Sequence, residues 1–142
     1  MARVSQLFDV LNEITLDGLI VPKAFGEREL AAAHFAHLQA GDLVLLDRGY
    51  PAFWLFALIL SRKAHFCVRM KLSSWIIVKQ FVASGLSEQI VILQPGYAAC
   101  QECHARKLST EPITVRLVRV ELNDGDVEVL VTSLLDSPTY PV

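Results

Sequence analysis

Cysteine is scarce in this chain: three residues in 142, Cys67, Cys100 and Cys103. So small and odd a set excludes a disulfide framework and points to free thiols in a reducing compartment. Long apolar runs are lacking too. The longest, Ala52 to Leu60, falls far short of the ~20 residues a membrane-spanning helix needs. The N-terminus shows no basic region followed by an apolar stretch and a cleavage site. Internal repeats, low-complexity tracts and a clear linker are missing as well. These absences lead us to expect one domain-sized, soluble, cytoplasmic protein with no membrane partner.

What is abundant is apolar side chain. Hydrophobic residues make up 53% of the sequence and mean hydropathy is +0.40, above ordinary soluble composition. We expect either an unusually large core or an apolar face meant for a partner segment. The net charge of −2 hides an uneven distribution. Residues 1–47 carry three basic and seven acidic side chains, 48–107 eight and two, and 108–142 two and six. The basic middle block could form a footprint for phosphates, or folding could mix the blocks and leave no patch.

Periodicity and turn signals predict strands over Val4–Leu11 and Ile14–Val21, split at Asn12-Glu13, then a helix over Gly26–Gln39. A short buried strand, Asp42–Leu46, is followed by an almost wholly apolar helix, Pro51–Lys63, and a strand, Ala64–Lys71. Ser73 and Ser74 are candidate caps for a helix over Trp75–Ser84, ended by Gly85. Gln89–Leu93 reads as a brief strand. Ile113–Leu122 alternates with a phase slip that a bulge near Leu117 would absorb. Asn123-Asp124-Gly125 then turns the chain into a returning strand, Val127–Thr132. The expected class is α/β, a mixed sheet with flanking helices followed by a β-hairpin. Ligands in such sheets sit beyond the carboxyl ends of the strands.

One strand ends on a charged pair. In "LVLLDRGYP", Leu43 to Pro51, a buried run stops at Asp47-Arg48-Gly49. A carboxylate fixed at a strand end suits Mg²⁺, which takes one or two carboxylates alongside water and phosphate oxygens. Such an Asp equally suits turn hydrogen bonds or a cap for the next helix.

"GERELAAAHF", "LVLLDRGYP" and "VRLVRVEL…DGDVEVLVTSLLD" resemble bacterial insertion-sequence transposases of the family-four (DDE) type, and the similarity covers nearly the whole chain. The resemblance implies a ribonuclease-H-like fold with a β-rich insertion: a partial catalytic core over 1–94 and the start of the insertion over 95–142. It implies cleavage and transfer of DNA, transposon ends and target, by three carboxylates with Mg²⁺ or Mn²⁺. Asp47 matches the second of the three. The family's first Asp belongs upstream of "RVSQLFDVL" and its Glu downstream of "SLLD", so we expect an internal fragment, inactive alone. Asp9 and Asp17 match positions the family does not use for metal. A central strand between the early strands and the Asp47 strand would be absent. Apolar faces and unpaired edges would then be open to self-association, unless the strands rearrange. For DNA phosphates the resemblance favours the basic middle block: Arg48, Arg62, Lys63, Arg69 and Lys71, with Arg69 and Lys71 alternating on one strand face.

Two other classes compete. One is a DNA-binding or regulatory protein without cleavage. The other is a small thiol- or metal-binding protein built on "CQECH", Cys100 to His104, which has haem-attachment spacing but at most three zinc ligands unless Cys67 and His65 join. His34 and His37, three apart on a helix, read as surface or groove histidines. Phe53, Trp54 and Phe56, in the apolar helix, read as core.

Overall fold

The computed structural model describes residues 1–141. The elements run β1 (Ala2–Asp9), β2 (Ile14–Pro22), α1 (Glu27–His34) with a 3₁₀ turn (Phe35–His37), β3 (Leu43–Leu46), α2 (Phe53–Ser61), β4 (His65–Met70), α3 (Ile76–Ser84), β5 (Glu88–Leu93), α4 (Tyr97–Ala105), β6 (Ile113–Glu121) and β7 (Val127–Thr132). It is a mixed α/β protein. A five-stranded sheet has the order β3-β4-β7-β6-β5, and β1-β2 form a separate two-stranded sheet. Only β3 and β4 are parallel neighbours; the remaining pairs are antiparallel. Residues 95–142, read as the start of an insertion, supply the central strands β6 and β7.

α2 is the centre of the core. Leu55, Phe56 and Ile59 have no exposed surface, and the Phe56 ring stacks on Phe66 of β4 at 4.3 Å. The cross-strand register puts Val44, Phe66, Val68, Val129, Val131, Leu117 and Val115 on the same side of the sheet. They form one buried cluster with the helices' Phe35, Phe53, Trp54, Val78, Phe81 and Cys103. The aromatic residues of α2 are therefore core, as their setting implied.

Four expectations change. β6 runs in register against both neighbours with no bulge. Its phase slip arises because Val115, Arg116, Leu117 and Val118 are all buried, as befits an inner strand covered on both faces. A register shift lies instead in the first hairpin, between Leu7 and Phe8. The N-cap of α3 is Trp75 and makes no side-chain cap bond; Ser74 Oγ donates to the Lys71 carbonyl at 2.7 Å. α4, for which no apolar period is visible, follows Pro95-Gly96.

The β1–β2 hairpin packs on α1 and shares no ladder with the larger sheet. The outer edge of β3 is unpaired, and Leu43 and Leu45 stand 47% and 63% exposed. No helix is long and apolar enough to cross a membrane among the described residues.

Candidate functional site at the carboxyl end of the parallel strands

β3 and β4 run parallel with Leu46 opposite Val68, so Asp47 leaves β3 at the end of the sheet where β4 presents Arg69. β7 enters at the same end, with Val129 opposite Met70. Asp47, Arg69 and Glu128 have matching parity in this register and meet at one rim.

The contacts are specific. Asp47 Oδ1 accepts the Arg48 backbone N–H at 2.7 Å and Arg69 Nε at 2.8 Å, with Arg69 Nη2 at 2.7 Å. Arg69 Nη1 donates to Glu128 Oε1 at 2.8 Å, and Arg48 Nη2 reaches the same oxygen at 3.4 Å. The Arg48 backbone N–H, and after it the Arg69 guanidinium, hold the Asp47 carboxyl below the usual aspartate range. Asp47 therefore carries its negative charge at neutral pH, and two arginines and two carboxylates balance in one rim cluster.

Of the residues singled out in the sequence, Asp47, Arg48 and Arg69 come together here. Lys71 lies just past β4 at the same end and is exposed. Arg62 and Lys63 do not join them. They end α2 at the amino end of β4, where the Lys63 carbonyl accepts from Gly41 and His65 N–H donates to Asp42. At ~3.3 Å per strand residue, that places them roughly 10 Å or more from Asp47 along the sheet. Lys63 sits at φ +58 as the left-handed cap of α2. Ala64 N–H bonds back to Ile59 and Lys63 N–H to Leu60, the double bond that closes such a helix end.

Folding also mixes the charge blocks. Arg48 and Arg69 of the basic block pair with Glu128 of the acidic tail, Arg69 with Asp47 as well, and Arg106 pairs with Glu29 and Glu102. Beyond Gly49 and Pro51 an open groove of about 700 Å³ carries Arg3 and Arg28 but also Glu27, Glu29 and Glu102. It is not a uniformly cationic channel.

The fit to divalent metal is poor in this arrangement. Asp47 Oδ1 and Glu128 Oε1 already accept guanidinium donors, and a cation at those oxygens would compete with Arg69. No group of three His, Cys, Asp or Glu side chains able to hold a metal stands among the described residues. That holds for "CQECH" too: Cys103 is buried, Cys100 half-buried and His104 exposed, while His65 bonds Ser133 Oγ at 3.2 Å. Burial pushes the Cys67 and Cys103 thiols up, away from reactive thiolates. Asp9 accepts the N–H groups of Leu11 and Asn12 and closes the first hairpin turn.

Glu128 escaped the sequence reading because nothing in "VEVLV" announces which rim its strand will reach. His34 was misjudged. It is buried rather than at the surface, held between Ser5 and Asp17.

Comparisons with protein-family models, curated proteins and solved structures find no match to this chain.

Proposed function

We propose that this chain carries the Asp47 portion of a DDE-type insertion-sequence transposase, with a ribonuclease-H-like core, and that it engages DNA without cutting it alone. The observation that carries the reading is Asp47 itself. The Asp of "LVLLDRGYP", the motif resembling the family's second catalytic position, lies at the carboxyl end of β3 beside parallel β4, where α/β sheets hold ligands. The unpaired edge of β3, with the β1–β2 hairpin standing apart, adds support, because the resemblance puts a further strand between them. In such enzymes Mg²⁺ or Mn²⁺ supplies activation of the attacking oxygen and stabilises the leaving one. The rim as arranged here commits its carboxylates to arginines, so this chain's own contribution is phosphate binding at Arg48 and Lys71.

The arginine clamp on Asp47 favours the second reading equally named above, a DNA-binding or regulatory role without cleavage. Two measurements separate the possibilities. Binding to duplex DNA across a salt series is expected to weaken with a clear negative slope in log–log form, lowered by about one in Lys71→Ala. A slope near zero removes the case for phosphate contacts and with it both DNA readings. Incubation of the purified chain with Mg²⁺ and transposon-end DNA is expected to give no nicking. Nicking that disappears in Asp47→Ala would overturn the non-cutting role.

A further inference from the structure

The first hairpin and α1 bring together three side chains that lie apart in sequence. Ser5 Oγ on β1 is 2.9 Å from His34 Nε2, and His34 Nδ1 is 2.7 Å from Asp17 Oδ2 on β2. His37 Nε2 also approaches that Asp17 oxygen, at 3.4 Å. The His34 bond, the largest influence, holds the Asp17 carboxyl below its ordinary range. In the tautomer that places a proton on Nδ1 toward Asp17, Nε2 is left bare to accept the Ser5 hydroxyl proton. His34 is 2% exposed, so the ring is fixed. Ser5 is only half-buried and lines a cavity of about 220 Å³ shared with Arg3, Leu30 and Tyr50.

From this geometry we propose that Ser5, His34 and Asp17 form a serine nucleophile site that hydrolyses esters of short acyl groups. Nucleophile, base and orienting carboxylate stand in the order and spacing such chemistry requires. A buried histidine bonded at both nitrogens could serve only to tie the hairpin to α1. Here its serine also opens onto a cavity, which a tie does not need. The volume, below that of pockets for drug-sized ligands, suits an acyl group of a few carbons. Arg3 and Tyr50, side chains of the donor type a developing oxyanion needs, line the same space, together with Glu27, which pairs with Arg3 at 3.8 Å. Burial pushes the Tyr50 phenol up, keeping it a donor.

The reaction balances without a further reactant beyond water. Ser5 Oγ attacks the acyl carbon while its proton passes to His34 Nε2. The ester C–O bond breaks, and His34 returns that proton to the departing alkoxide, releasing the alcohol. Water then attacks the Ser5 ester, giving its proton to His34. The Ser5 C–O bond breaks, the carboxylic acid leaves, and Ser5 recovers its proton from His34. Ser5 and His34 are the catalytic residues. Asp17 is a positioning residue, acting through His34.

The test uses a fluorophosphonate probe and p-nitrophenyl acetate on the full chain. Peptide mapping is expected to find the phosphonyl adduct on Ser5. Ester turnover should vanish in Ser5→Ala and fall at least about a hundredfold in His34→Gln, with circular dichroism matching the parent. Asp17→Asn should lower kcat by a similar factor and leave KM unchanged, a split that a loosened hairpin would not give. An adduct elsewhere or none, or turnover indifferent to Ser5→Ala, overturns the proposal. The mapped adduct on the unaltered chain decides the matter even if a variant fails to fold.

Discussion

At the scale of single residues the rim cluster is an electrostatic arrangement more than a stabilising one. The Asp47 side chain is 62% exposed and Arg69 35%, so water screens the pair, and such exposed pairs contribute about 1 kcal/mol or less. Asp47→Ala is therefore expected to leave the unfolding midpoint nearly unchanged, which makes it a clean probe of the rim. The sign of its pH dependence follows from the depressed carboxyl. Stability from Asp47 is fully present above the unfolded-state value and is lost as pH falls through the lower folded value. Urea unfolding from about pH 5 down to about pH 2 should show the parent losing more stability than Asp47→Ala, so that its small advantage at neutral pH disappears at the acid end. A parent advantage that stays constant down to about pH 2, or that appears only in acid, would contradict the clamp. "LVLLDRGYP" exposed the strand end and the carboxylate. It could not expose Arg69 and Glu128 as partners, because pairing across strands depends on sheet order.

At the scale of elements, α2 shows what the sequence conveys well and what it conveys poorly. Its apolar run announces burial all round, and Phe56 sits fully buried against Phe66. Phe56→Ala should cost about 3–5 kcal/mol in urea unfolding. Its end is less legible. No glycine stands where the chain turns left-handed, and Lys63 takes φ +58 instead. Lys63→Gly is expected to stabilise the protein by up to about 1 kcal/mol, read as a raised urea midpoint. α4 hides for related reasons: it lacks an apolar stripe, buries only Cys103 and also closes on a left-handed lysine, Lys107. In β6, alternation misled in another way. Burial on both faces erased the period of two that would have revealed an unbroken strand. Edge strands keep their period, and β3 shows Leu43 and Leu45 on its open face. That unpaired apolar edge is suited to a second copy of the chain. Sedimentation velocity over about a tenfold concentration range should reveal association that Leu45→Lys weakens; a parent that stays monomeric throughout would exclude it.

For the molecule as a whole, one face of the five-stranded sheet is packed and the other is closed only in part. The helices share the core with Phe66, Val68, Leu117 and Val131. On the opposite side, register aligns Arg116 with Thr132 and Ile90, and Ile90 remains 58% exposed. The chain after β7 crosses part of this side. Ser133 Oγ accepts the Phe66 backbone N–H at 3.1 Å, and Ser137 Oγ donates to Glu88 at 3.0 Å. Arg116 is the tie. Its guanidinium is 3% exposed and donates to Glu88 Oε2 at 2.7 Å and to the Tyr140 carbonyl at 2.7 Å. Removing one partner of a fully buried ion pair costs about 3–5 kcal/mol, but Glu88 is 37% exposed and water can take over its charge. Arg116→Ala should thus cost less, about 1–3 kcal/mol. The loss should also be local. With the Tyr140 carbonyl unheld, hydrogen exchange and proteolysis are expected to rise across residues 133–141, while amides of β4 and β7 keep their protection. Equal loss of protection in both regions would mean that the tail and the sheet unfold as one unit.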